Sequence, residues 1–504
     1  MARLHTTLAA LAVATGLLAG VGSAVAAPAG ESARGGLSRF YDQRLDWKSC
    51  DDGLLDASGA QCADVTVPLD YQQPRGRTIT VAISRLKATD PAQRRGIMLS
   101  NPGGPGGPGL AMMARIKGTM SPAVQARYDL VGMDPRGVGR STPIDCGWPE
   151  AFMQRSAGYD RAAFDRSVAF AADRARRCAE KEGGRLPHIT TRNTARDMDV
   201  VRGAMGEKRI SYLGWSYGTY LGAVYTQMFP QRTDRFVLDS AIDPAEYGTE
   251  VTRAMGAPSE AVLDDWAAWT ARRDAEYHLG TTGKQVRGAV EGLVRQAAKA
   301  PIKVGDYAVD AHVLPFLLAG PLPSPGQYAG YTQYVRQLLD AAAGAPVVPG
   351  GELEASLTAV FRPGAATDDD AQAAVFCGDV SYPRDPEWYW KKVQRSRAAQ
   401  PVFGAFVNNI TACAFWAKPR EERTVVRNDR PALIVQATGD FRTAYGQGVG
   451  LHKAMTGSRL VTLKDVAVHG VFGRYPDKCA EDAVNTYLAD GRLPAQNITC
   501  HAGK

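Results

Sequence analysis

The chain of 504 residues has little of what marks several protein classes. After residue 26 no apolar run approaches the roughly 20 residues that a membrane-spanning helix needs, so no membrane association is expected. There is no basic run and no stripe of aromatics set between basic residues. The net charge of +7 is spread along the chain, which implies a solvated mixed-charge surface and no nucleic-acid partner. No C-x-x-C or Cys/His spacing appears, which removes the usual zinc signatures, and no cofactor or metal is implied. No internal repeat is present, and no low-complexity tract beyond a few glycine- and proline-rich loops.

What is present begins with MARLHTTLAALAVATGLLAGVGSAVAAPAG. A short basic start, an apolar run and the small-x-small site Ala24-Val25-Ala26 predict a signal peptide over 1–26. The polar segment 27–39 reads as a flexible N-terminus or a pro-segment, and the mature protein is expected to be secreted and extracellular. The eight cysteines fit that compartment, because an even number after a leader reads as a disulfide framework. They fall in four well-separated pairs along the chain. Nearest-neighbour pairing then predicts Cys50–Cys62, Cys146–Cys178, Cys377–Cys413 and Cys479–Cys500.

Along the chain, short apolar runs alternate with helical patterns, and each run ends in a Gly- or Asp-bearing loop. Residues 64–87 read as two strands joined by a hairpin. GIMLSN, YDLVGM, RISYLGW and RFVLD follow as further strands, and TTRNTARDMDVVRGAMG (190–206) as a helix between them. This is the pattern of a mostly parallel α/β sheet. From about 245 to 425 helical patterns broken by proline-rich loops take over. The α/β pattern returns with RPALIVQATGD and RLVTLKDVAVHG. The expected organisation is a catalytic domain from 40–244 and 426–504, with a mainly helical cap insertion over 245–425.

One run of this sheet ends in Gly214-Trp215-Ser216-Tyr217-Gly218. Small residues two before and two after a serine suit a sharp strand-to-helix turn that exposes a nucleophile. A serine hydroxyl needs a base, and the base needs an orienting acid. In such sheets the acid and then the histidine follow the serine in the chain. Of the histidines after residue 440, His452 sits in a polar helical stretch and His501 beyond the last cysteine. His469 follows an apolar run at a strand exit. Asp440 ends the preceding run in the same way, whereas Asp429, Asp465 and Asp477 lie before, within or after the relevant runs. The expected triad is Ser216, Asp440 and His469. The backbone N–H of Tyr217 is expected to be one oxyanion donor, and the loop NPGGPGGPG to supply the other.

Taken together, WKSC…C with VPLDYQQP, PGGPG, DPRGVGRS, GWSYG, VLDSAIDP, ACAFW, QATGD and the final VHG resemble the proline iminopeptidase branch of the α/β-hydrolases. More closely they resemble the secreted bacterial tripeptidyl aminopeptidases, including the prolyl tri/tetrapeptidyl type. The resemblance spans nearly the whole mature chain. It implies an α/β-hydrolase fold, gives Ser216, Asp440 and His469 the roles of nucleophile, acid and base, and makes Gly104 the second oxyanion donor beside Tyr217. Three departures stand out. Pro102 replaces the histidine with which many relatives open the glycine loop. Asp134-Pro135-Arg136-Gly137 stands for Asp-Gln-Arg-Gly, a segment read as structural. Phe441-Arg442-Thr443-Ala444 keeps only the threonine of the pattern that follows the acid in relatives.

The chemistry implied is acyl transfer on peptide substrates with free N-termini, with tripeptides as the released product. An exopeptidase must hold the α-ammonium group, because a buried unpaired cation is costly. Glu246, Glu250, Asp264, Asp265 and Asp379 qualify by location alone, with nothing to choose among them. The alternatives are an esterase or lipase using the same triad, and a secreted binding protein on a hydrolase scaffold that has lost its activity.

Overall fold

The computed structural model describes residues 36–150, 154–361 and 367–502. The leader expected over 1–26 lies outside these residues, as does the stretch 27–35.

A nine-stranded sheet forms the centre, in the order β1-β2-β4-β3-β5-β6-β9-β10-β11. β1 (Gln61–Pro68) and β2 (Thr78–Leu86) pair antiparallel, and β2 joins β4 (Tyr128–Met133) antiparallel. From β4 onward the neighbours run parallel: β3 (Gly96–Asn101), β5 (Ile210–Trp215), β6 (Thr233–Asp239), β9 (Ala432–Ala437), β10 (Ser458–Lys464) and β11 (Ile498–His501). β3, β4, β5 and β9 are buried along their whole length. They are the continuous apolar runs expected of strands covered on both faces. Parallel strands bring the loops after β3, β5, β6, β9 and β10 to one edge of the sheet, where ligands of such sheets bind.

Helices cover the sheet. α1 (Arg161–Glu182) and α2 (Thr191–Ala204) lie between β4 and β5, and α3 (Tyr217–Met228) leaves β5 directly. The Thr190 side chain caps α2 by accepting the Asn193 amide, as the sequence pattern predicts. Between β6 and β9 the chain builds α4 (Gly256–Ala271), α5 (Gly283–Lys299), a two-stranded ribbon of β7 (Ile302–Val304) and β8 (Tyr307–Val309), α6 (Tyr328–Ala342), α7 (Gly351–Phe361) and α8 (Thr367–Asp379). Leu263, Trp266, Val290, Leu314 and Val335 give this region a core of its own. α8 differs, because its Ala373, Ala374 and Cys377 pack into the core beneath the sheet. α9 (Lys478–Asp490) closes the chain's last crossover before β11.

Several elements escape the sequence reading, among them α1 and β11. α1 buries Ala163, Ser167, Ala171, Ala175 and Cys178 beside one large apolar residue, Phe164, so its inner face is too weakly hydrophobic to stand out as periodic. β11 is a four-residue edge strand with alternating burial. Four disulfides join Cys50–Cys62, Cys146–Cys178, Cys377–Cys413 and Cys479–Cys500. The last ties β11 to the start of α9, and Cys377–Cys413 fastens α8 to the segment that leads back to the sheet.

Candidate active site

Ser216 stands between β5 and α3 with φ 56° and ψ −123°, a strained backbone that a non-glycine residue holds only under surrounding constraint. The flanking glycines supply that constraint. A Cβ at Gly214 would lie 2.6 Å from the Gly218 carbonyl oxygen, and one at Gly218 would lie 2.6 Å from the Asn101 carbonyl oxygen. Both approaches are closer than any side chain permits, so the turn closes only with glycine at both positions.

The loop after β3 lies over this turn. The Gly103 amide donates to Asn101 Oδ1 at 2.9 Å, and Gly103 has φ +100°. A Cβ there would stand 2.8 Å from Ser216 Cβ and 3.4 Å from the Tyr217 nitrogen. Glycine at 103 therefore keeps open the space in front of the Tyr217 N–H, a requirement that sequence reasoning did not single out. Gly104 follows at φ +105°, and its amide makes no hydrogen bond among the described residues. The end of the loop is held from below. Asp134, buried after β4, accepts the amides of Gly109 at 2.7 Å, Leu110 at 3.1 Å and Arg140 at 2.9 Å. Arg136 of the same segment forms a fully buried pair with Asp197. Both interactions hold loops to the fold.

At the far side, Asp440 follows β9 and His469 follows β10. His469 Nδ1 lies 3.0 and 3.1 Å from the two Asp440 oxygens. An ionised carboxylate can only accept, so the ring proton belongs on Nδ1 and Nε2 is left as the basic nitrogen. Asp440 is 1% exposed. Burial works to raise its pKa, but the His469 charge and hydrogen bond together with Thr443 hold it below the usual carboxylate range. Thr443 gives Asp440 both its amide at 2.9 Å and its hydroxyl at 2.8 Å, and the Arg442 amide adds a third donor at 2.9 Å. The threonine is the one residue retained from the pattern relatives carry after the acid, and here it orients that acid.

The two sides meet through Asp239 and Ser240 at the end of β6. The Ser216 amide donates to the Asp239 carbonyl at 3.0 Å. The Asp239 carboxylate accepts the Val471 and Phe472 amides at 2.9 and 2.7 Å, and Ser240 Oγ accepts the Gly470 amide at 2.7 Å. One dipeptide thus fastens the serine turn and the histidine turn together. Asp239 is fully buried, and burial pushes its carboxyl up to about 6 even though the Val471 and Phe472 amides stabilise the charge. The sequence shows an aspartate closing the strand after the elbow, in VLDS, but not the amides that it holds.

Four of the five carboxylates named for the substrate amine are engaged within the chain. Glu246 accepts from Gln447, Glu250 pairs with Arg253 and Asp264 pairs with Arg287. Asp379 is buried on Thr191 and Tyr247. Asp265 is exposed. An unforeseen acidic turn lies closer to the serine loops. A Cβ on Gly106 would be 2.3 Å from the Asp368 carbonyl oxygen, so the first turn of α8, with Asp368, Asp369 and Asp370, sits directly on the glycine loop. Gln372 Nε2 reaches the Pro105 carbonyl at 3.2 Å. Burial, then the neighbouring charges of Asp370 and Asp368, push Asp369 up to about 7. Asp370 is partly spent on the Cys146 amide at 3.1 Å.

Comparison with known proteins bears on the family of the chain. Residues 96–292 match the family described as alpha/beta hydrolase fold, and residues 400–500 match the family described as TAP-like protein. The tripeptidyl aminopeptidase of Streptomyces lividans is 36% identical over 480 residues, covering 90% of this chain and 86% of the relative. A carboxylesterase B of Mycobacterium tuberculosis is 32% identical over 481 residues, covering 90% and 89%. The serine protease Hip1 of the same species is 28% identical over 503 residues, covering 92% and 93%. The chain belongs to the tripeptidyl aminopeptidase-like serine peptidases of the α/β-hydrolase fold.

Proposed function

We propose that this chain is a secreted serine exopeptidase that releases short peptides, tripeptides foremost, from free N-termini. The observation that carries the reading is the buried Asp440–His469 pair, joined through Asp239 and Ser240 to the strained turn that presents Ser216. In the proposed mechanism His469 Nε2 takes the Ser216 proton as Oγ attacks the peptide carbonyl. Asp440 stabilises the imidazolium, which then protonates the departing amine, and water releases the acyl product by the reverse sequence. The Tyr217 and Gly104 amides receive the oxyanion, where preorganised donors contribute most. The helical segment over 245–425 acts as a cap, admitting chain ends and excluding folded substrates. The four disulfides suit an oxidising compartment.

The free α-ammonium is assigned to the acidic turn of α8. Asp369 makes no hydrogen bond among the described residues and shares its turn with two other carboxylates. An arriving ammonium would relieve that repulsion and favour the ionised form. Asp369→Asn is expected to raise KM for free-amine substrates about tenfold, the usual scale for a charge-assisted contact, and to leave N-acetylated substrates unaffected.

The test is release of p-nitroaniline from one-, two- and three-residue anilides with free N-termini, beside the N-acetylated tripeptide and a nitrophenyl ester, with Ser216→Ala as control. Fast cleavage of the free tripeptide, lost on acetylation and in the variant, supports the reading. The similarity to a carboxylesterase B favours an esterase as the second reading, and ester cleavage without anilide cleavage would select it.

A further inference from the structure

A cavity of about 1020 Å³ opens beside His469, between the loops after β9 and β10 and the segment around α6 and α7. Its wall includes His469, Phe441, Tyr331, Glu352, Arg442 and Arg474. Two arginines and one glutamate therefore line the same cavity. Arg442 sits two residues after Asp440 and donates Nη2 to the Gly320 carbonyl at 2.7 Å. Arg474 lies across Gly470, where a Cβ would meet its Cδ at 2.6 Å, and its guanidinium stacks on the Trp215 ring at 4.1 Å. Trp215 precedes Ser216 and Gly470 follows His469, so Arg474 bridges the serine and histidine turns. Neither arginine makes an ion pair among the described residues. Burial presses both below the usual arginine range. The Asp440 charge partly offsets this for Arg442 and the Asp239 charge for Arg474, while the Arg474 charge presses Arg442 down further. An anion between the two would remove that repulsion, and planar guanidinium forks match a carboxylate.

We propose that Arg442 and Arg474 form a carboxylate subsite on the leaving-group side of His469, one that selects substrates whose departing fragment carries an acidic side chain or a nearby free C-terminus. The proposal rests on the serine-peptidase reading for its orientation, because the amine that departs takes its proton from His469 and leaves past it. The subsite makes short peptides and acidic departing residues better substrates than neutral or amidated ones. It also makes the preference salt-sensitive, since salt screens charge–charge contacts.

The test separates the sources of the carboxylate and separates the subsite from the activity. Ser216→Ala is titrated calorimetrically with tetra-alanine as acid and as amide, and with amidated hexapeptides carrying Asp or Ala at the fourth position. The expected result is binding about tenfold tighter for each carboxylate-bearing peptide than for its neutral twin. That gap should close in Arg474→Gln and Arg442→Gln and partly return in the Lys variants, which also serve if a Gln variant fails to fold. Tighter binding of only one peptide pair identifies that carboxylate as the one read. Equal binding of acid and neutral twins, or a gap that survives both Gln substitutions, overturns the subsite. In the active protein the acid-to-amide ratio of kcat/KM should follow the same pattern. Anilide cleavage with no such ratio would sink the subsite and leave the peptidase standing. A carboxylate preference lost in the Gln variants, in a protein that cleaves no anilide, would do the reverse.

Discussion

The last residue of β6 and the turn after β9 each place a buried aspartate next to the histidine turn, and the two carboxylates are held in opposite ways. Asp440 meets the imidazole itself and is kept below the usual carboxylate range, with His469 and Thr443 outweighing the cost of burial. Asp239 meets only the backbone of the same turn, at Val471 and Phe472, and burial raises it to about 6. Residue type is the same and both lie at the carboxyl end of a parallel strand, so the difference in role comes from the environment. A charge partner makes Asp440 fit to stabilise an imidazolium. Backbone amide donors, with no ion pair among the described residues, make Asp239 a latch that sets where His469 stands.

This contrast can be broken by exchanging the acids for their amides. Asp440→Asn should cost about 10⁴-fold in kcat, the scale known when the orienting acid of a serine triad is neutralised, with little change in KM. Asp239→Asn replaces one acceptor oxygen by a donor facing the Val471 and Phe472 amides. It should cost about 10²-fold through a misplaced His469, with the pH profile of kcat shifted less than in Asp440→Asn. A larger loss in Asp239→Asn than in Asp440→Asn, measured on the same tripeptide anilide, would reverse the assignment of roles.

The pH dependence of stability sharpens the same comparison at a smaller scale. Asp239, Asp370 and Asp379 are raised to about 6 and Asp369 to about 7. An unfolded chain gives up these protons near pH 4. Their stabilising contribution is therefore full below about pH 4 and is lost as pH rises through about 6 to 7. Asp440 works the other way, contributing above the ordinary carboxylate pKa and losing that contribution as pH falls through its lowered value. Calorimetric Tm is expected to fall by a few degrees between pH 5 and pH 7.5, and Asp379→Asn should flatten part of that slope. A Tm that rises over this interval, unchanged in Asp379→Asn, would contradict the assignment of these raised groups.

Much of the fold was legible because its strands are covered on both faces and so appear as uninterrupted apolar runs. The elbow was legible because two positions tolerate only glycine. Asp440 and His469, which meet in the structure, each close such a run. What escaped were contacts made through backbone atoms. Asp239 acts on amides of Val471 and Phe472, more than 230 positions away, and no local pattern reports such a pairing. Gly103 matters for the space it leaves before the Tyr217 nitrogen, which shows only when the loop is laid over the turn. The acidic turn of α8 went unnoticed because its setting against Gly106 depends on a helix that leaves the helical segment between β6 and β9 to pack beneath the sheet.

The most direct measurement of the central claim is mass mapping after reaction with a fluorophosphonate, which phosphonylates an activated serine. The expected result is one adduct, on Ser216, formed rapidly by the native protein and slowly or not at all by Asp440→Asn and His469→Ala. An adduct on another residue, or labelling of Ser216 at the same rate in all three proteins, would contradict the account.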